Sequence, residues 1–196
     1  MMLFCCKTND HDEIMERAAC LVSENRRKKA LRLPTRRARA NSLATELLAR
    51  YALEQYDISQ EELYFDKTGR PRVKEDIAFL SLSHSGEYVA CAVSERPVGV
   101  DVQKIKPVSR LVIARVCTAA ERESLSHATD VPTAFTRLWS LKEAWRKANP
   151  DAGPKEMLRA EFFLDEDRLV QGPSGFCYTV PDAPEGYALA LCEALG

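Results

Sequence analysis

The stretch Ile77–Gln103, IAFLSLSHSGEYVACAVSERPVGVDVQ, carries the plainest structural pattern in the chain. Ile77–Leu82 and Tyr88–Val93 are dense in apolar residues, and the polar group Ser83-His84-Ser85-Gly86 separates them. They read as a β-hairpin with those four residues at its tip. After the Arg96-Pro97 turn, Val98–Val102 reads as a third strand. A strand sends successive side chains to opposite faces. The valines therefore share one face, while Gly99, Asp101 and Gln103 share the other.

Upstream, Met2–Cys6 reads as a short strand and Asp12–Leu33 as a helix that Pro34 interrupts. Leu43, Leu47, Leu48, Tyr51 and Ala52 fall on one stripe of a second helix, Ala38–Gln55, and Lys67-Thr68-Gly69-Arg70-Pro71 has turn chemistry. Downstream, a helical section over Ser109–Ala148 contains the capping box Thr118-Ala-Ala-Glu121, a local role that accounts for Glu121 without chemistry. Strands return at Ala160–Leu164, Leu169–Gln171, Phe176–Val180 and Tyr187–Cys192. Helices followed by antiparallel strands thus occur twice. That order predicts an α+β fold of two similar halves, 1–102 and 103–196, with a ligand cleft between them.

Composition narrows the function classes. The 196 residues carry 28 basic and 29 acidic side chains, so no overall field draws the protein to nucleic acid or to a membrane surface. The charge is uneven locally: Arg26, Arg27, Lys28, Lys29, Arg32, Arg36, Arg37 and Arg39 form a basic stretch. It is read either as a site for an anionic ligand or as a solvated helix face. Seven scattered cysteines without a C-x-x-C pair, and only three histidines, argue against a zinc site and for a reducing compartment. The expected location is the cytoplasm, with no membrane segment.

Three groups of residues could carry chemistry. Asp101, with Gln103 two positions on, offers oxygen ligands on one strand face, which suits a hard cation such as Mg²⁺. In Trp139-Ser-Leu-Lys-Glu-Ala-Trp-Arg-Lys147, Glu143 and Lys147 are i and i+4, with Trp139 one turn earlier and Trp145 turned to the core. Ser83 and His84 at a hairpin tip, and Arg70 on a constrained turn, could meet phosphate. Each feature taken singly reads first as an ordinary solvent-facing side chain: an exposed strand face, an ion pair along a helix, or a turn residue.

Their order is more specific. Gly69-Arg70-Pro71, Ser81–Ser85, Gly99–Gln103 and Trp139–Lys147 together resemble the phosphopantetheinyl transferases of the surfactin-synthetase type, from about Arg26 to the C-terminus. The resemblance implies two pseudo-twofold halves with coenzyme A between them, and a monomer. It also implies transfer of 4′-phosphopantetheine from coenzyme A to a serine of an acyl or peptidyl carrier protein, releasing 3′,5′-ADP. Asp101 and Glu143 would hold Mg²⁺, with Gln103 as an optional neutral contact. Lys147 would meet the pyrophosphate, Ser83 and His84 the 3′-phosphate, and Arg26, Lys29 and Arg70 would add basic contacts. Glu143, directly or through water, is the candidate proton acceptor for the serine.

Three positions depart from the family pattern. Gln103 stands where an acidic residue is common. Asn149–Gly153 replaces a Gly-Lys-Gly run, and Asn41 replaces an arginine that Arg37 or Arg39 could stand in for. Gln103 keeps open an alternative reading, a catalytically weak binding module for coenzyme A or a carrier protein.

Overall fold

The computed structural model describes residues 1–165 and 168–196, and the chain divides into two compact units, Met1–Glu95 and Arg96–Gly196. The divide lies between Glu95 and Arg96 rather than after Val102. The reason is that the third strand pairs along its length with the last strand of the chain, which no local pattern announces.

The first unit runs β1 (Met2–Lys7), α1 (Asp12–Leu21), α2 (Glu24–Leu31), α3 (Arg36–Gln55), β2 (Leu63–Phe65), β3 (Pro71–Val73), β4 (Phe79–Ser85) and β5 (Tyr88–Ser94). Its main sheet has the order β1-β5-β4, all antiparallel, and β2 and β3 form a separate ribbon. The helix expected over 12–33 is broken in two. Ser23 accepts a hydrogen bond from the Arg26 N–H to cap α2, and itself donates to Glu46 through both its N–H and its hydroxyl. Helix α3 is capped by Thr35 and lays Leu48, Ala49, Ala52 and Leu53 on Val89, Cys91 and Val93 of β5. Leu53 is completely buried, a contribution of roughly 1.5–3 kcal/mol for such a side chain.

The second unit runs β6 (Val98–Lys104), α4 (Arg110–Val116), α5 (Ala119–Ser126), α6 (Val131–Ala148), α7 (Pro154–Arg159), β7 (Phe163–Asp165), β8 (Arg168–Gln171), β9 (Phe176–Thr179) and β10 (Tyr187–Ala194). Three helices replace the single helical section expected over 109–148. The sheet order is β6-β10-β9, again antiparallel, with β7 and β8 as a ribbon. Helix α6 packs on β6 and β10 around Leu138, Leu141, Ala144, Trp145 and Ala148.

The two units share a connectivity. In each, the first strand pairs with the last, the last pairs with the one before it, and helices and a two-stranded ribbon come between. The mixed α+β class with small antiparallel sheets is as expected, and the duplicated order is stricter than the strand pattern alone implied.

Candidate active site

Strand β6 and helix α6 meet backbone to backbone at Gly99. A Cβ built there would lie 1.8 Å from the Ala144 carbonyl oxygen and 2.7 Å from the Ala148 nitrogen, so only glycine fits. The space a side chain would take there is filled by α6 itself. The strand period then turns Asp101, two residues on, toward the same helix. Asp101 is 2% exposed, and its Oδ1 accepts from Lys147 Nζ at 2.7 Å. The same ammonium donates to the Val100 carbonyl at 2.8 Å. Two motifs 46 residues apart are thus brought into direct contact.

Glu143 lies one helical turn before Lys147, on the same side of α6. Its Oε2 accepts from Arg146 Nη2 at 2.8 Å, and both side chains are partly buried. Arg146 and Lys147 occupy the last turn of α6, where the helix dipole favours positive charge. Gln103 follows Asp101 on the same strand face and is half-buried. Trp145 is in the core, edge-on to Phe176.

Lys142, the residue before Glu143, has a separate task. It is fully buried, 2.9 Å from the equally buried Glu121, and donates to the Ala160 carbonyl. Glu121 also closes the capping box at Thr118 and accepts the Phe162 N–H at 3.0 Å. The local role assigned to Glu121 is present, but the carboxylate also joins α5, α6 and the segment before β7. Removing one partner of such a buried pair costs about 3–5 kcal/mol, because a charge is left stranded. Position was the available signal: Lys142 falls between Leu138 and Trp145 on the apolar stripe of α6, where a lysine needs a partner.

The remaining residues singled out from the sequence belong to the first unit. Ser83, His84 and Ser85 lie within β4, opposite Ala90, Val89 and Tyr88, and not at the tip of the hairpin. The turn is Gly86-Glu87, with Gly86 at φ 55°, a conformation glycine adopts readily. Ser83 is buried and His84 exposed. The turn is tied down by Asn41, which donates to the Gly86 carbonyl at 3.1 Å, and by Thr8, whose N–H donates to the Glu87 carbonyl at 2.7 Å. Arg37 donates to the Thr8 carbonyl and pairs with Asp10 and Glu87. Asn41 therefore has a structural place of its own. Arg39 donates to the Leu33 carbonyl, so much of the basic stretch is engaged internally.

Lys29 and Arg70 are exposed, and a Cβ on Gly69 would lie 3.6 Å from Lys29 Nζ, which brings that ammonium beside the turn carrying Arg70. Asp66 shapes this turn by accepting from the Thr68 hydroxyl and from the N–H groups of Thr68 and Arg70. The Thr68 hydroxyl above all, aided by those N–H groups and Arg72, holds the Asp66 carboxyl down to about 2. Arg26 stands apart. It is buried 3.3 Å from Glu46 with its guanidinium 4.2 Å from the centre of the Phe65 ring, so a ligand contact would require it to leave both. Burial works against ionisation of Glu46, yet hydrogen bonds from Ser23 and Arg50 outweigh it and lower its pKa.

Among the described residues, no three His, Cys, Asp or Glu side chains form a metal-binding group. The candidates from the sequence are of another kind: the carboxylates of Asp101 and Glu143 and the half-buried amide of Gln103. All are hard oxygen donors. That matches Mg²⁺, which takes one or two protein carboxylates and fills its remaining positions with water and substrate phosphate.

Residues 97–192, which include every member of this set, match the family model of the 4′-phosphopantetheinyl transferase superfamily. A 4′-phosphopantetheinyl transferase, ffp, of Bacillus subtilis is 30% identical over 193 residues, covering 93% of this chain and 86% of the relative. The chain belongs to the 4′-phosphopantetheinyl transferase superfamily. The 4′-phosphopantetheinyl transferase Sfp of Bacillus subtilis (strain 168) is 27% identical over 91% of this chain and 85% of its own length. The 4′-phosphopantetheinyl transferase psf-1 of Bacillus pumilus is 37% identical over 54% of this chain and 48% of its own. The activity that goes with membership is transfer of phosphopantetheine to carrier proteins. No helix among the described residues is long and apolar enough to cross a membrane.

Proposed function

We propose that this phosphopantetheinyl transferase is a magnesium-dependent enzyme in which Asp101, Glu143 and Lys147 serve one reaction centre. The observation that carries the reading is the Lys147–Asp101 contact at 2.7 Å, which joins a buried carboxylate to a lysine one turn from a second carboxylate. Coenzyme A supplies the group and a carrier-protein serine accepts it. The serine oxygen attacks the pyrophosphate phosphorus next to pantetheine. A new O–P bond forms, the bond to the bridging oxygen breaks, and 3′,5′-ADP leaves. The serine proton passes to Glu143, directly or through water.

Asp101 and Glu143 would hold Mg²⁺, which when bound neutralises the pyrophosphate and stabilises the departing phosphate. Lys147 adds a second positive charge at the same place. Its ammonium has three donors, and among the described residues two are engaged, by Asp101 and Val100, so the third can reach a phosphate oxygen. In the first unit, Lys29 on α2 and Arg70 on the adjoining turn, with Ser83 and His84 on β4, would bind coenzyme A phosphate. Arg26, itself in α2, ties that helix to Glu46 of α3 and Phe65 of β2. The enzyme acts as a cytoplasmic monomer.

Chelation with EDTA should abolish transfer and added Mg²⁺ should restore it, and transfer that persists in chelator would contradict the metal assignment. The Gln103→Glu variant adds a third carboxylate to the donor set. It should reach half-maximal rate at a several-fold lower Mg²⁺ concentration, on the order of the affinity changes that ligand charge brings to such sites. An unchanged Mg²⁺ titration would place Gln103 outside the metal shell. Gln103 also favours a second reading, in which the chain binds coenzyme A or carrier protein with little turnover.

A further inference from the structure

Both carboxylates of the proposed metal set are already held by cations from the last turn of α6. Lys147 Nζ lies 2.7 Å from Asp101 Oδ1, and Arg146 Nη2 lies 2.8 Å from Glu143 Oε2. The two cations are not equivalent. Lysine is a point charge on a flexible stem, and the reaction gives Lys147 a second place to go, the pyrophosphate. Arginine is a rigid fork that grips a carboxylate, and the proposed mechanism gives Arg146 no task. Its side chain is a quarter exposed and Glu143 less so, which limits screening of the pair by solvent.

We propose that Arg146 is a positioning residue that competes with the divalent ion for Glu143 and so makes metal binding depend on coenzyme A. This rests on the reading of Glu143 as a metal ligand. An oxygen accepting from a guanidinium has to loosen that bond before it can coordinate a strongly hydrated ion such as Mg²⁺. The site then presents two carboxylates offset by two built-in cations, and its affinity for a further cation is low. Arrival of the coenzyme A pyrophosphate adds negative charge and draws Lys147 toward it, which favours the metal. Binding of metal and of coenzyme A is thereby coupled, and reciprocally so.

The test uses Mn²⁺, with free ion measured by electron paramagnetic resonance, on the full chain with and without coenzyme A and no carrier protein. Arg146→Met keeps the apolar stem and removes the charge. It should tighten Mn²⁺ binding without coenzyme A by about fivefold or more, and shrink the further gain that coenzyme A gives. Arg146→Gln should do the same, while Arg146→Lys should stay close to the unaltered protein. A merely structural arginine would not tighten metal binding when lost. If Glu143→Gln weakens Mn²⁺ binding but neither neutral Arg146 variant strengthens it, competition is wrong and the metal assignment stands. If Glu143→Gln leaves Mn²⁺ binding unchanged, the assignment of Glu143 falls and the competition falls with it.

Discussion

Replacing Gly99 by alanine should unfold or grossly destabilise the second unit. The added methyl would sit 1.8 Å from the Ala144 carbonyl oxygen and 2.7 Å from the Ala148 nitrogen, which are backbone atoms at the C-terminal end of α6 with no rotamer to change. Strand and helix would have to separate by more than an ångström along their main contact. Overpacking by a methyl group in a yielding core costs about 1–3 kcal/mol, and an unyielding backbone puts this case above that range, at ~4 kcal/mol. For a chain of this size that is a fall in Tm of roughly 8–16 °C. Thermal unfolding followed by circular dichroism reads it directly. A variant within a degree or two of the parent would mean that β6 and α6 do not touch at Gly99. The Asp101–Lys147 contact, which depends on that seam, would lose its structural basis.

The second large effect is chemical. Glu143→Gln should lower transfer by at least ~10²-fold, the scale on which a positioned proton acceptor contributes, and more if a metal ligand is lost as well. Stability should hardly change, because the pair with Arg146 is partly exposed and exposed pairs contribute about 0–1 kcal/mol. Rates measured at saturating coenzyme A, alongside an unfolding curve, separate the two quantities. Near-normal turnover would remove Glu143 from the mechanism.

Much of this site was legible in the sequence because it rests on short-range periods. The two-residue alternation of Val98–Gln103 put Gly99, Asp101 and Gln103 on one face. The four-residue spacing in Trp139–Lys147 aligned Glu143 with Lys147, and both hold in the structure. What alternation could not supply was the partner of that face. At Gly99 that partner is the backbone of α6.

The misplacements have similar causes. Polarity drew Ser83–Ser85 into the hairpin turn, whereas Gly86, able to take a positive φ, makes the turn with Glu87 and leaves the serines in β4. The units divide before β6, and not after it, because β6 finds its partner in β10, at the far end of the chain. The role of Lys142 is hidden in the sequence because its partner, Glu121, has a sufficient local role in the capping box. Only the folded chain shows that one carboxylate does both.

Asp101, Glu143 and Lys147 would serve one reaction, the movement of phosphopantetheine from coenzyme A onto a carrier serine. The most direct measurement is the intact mass of apo acyl and apo peptidyl carrier proteins after incubation with the protein, coenzyme A and Mg²⁺. The carrier should gain one phosphopantetheinyl group, with 3′,5′-ADP released in equal amount. Carriers of both kinds left at their starting mass, while the protein measurably binds coenzyme A, would contradict it and leave a binding module in its place.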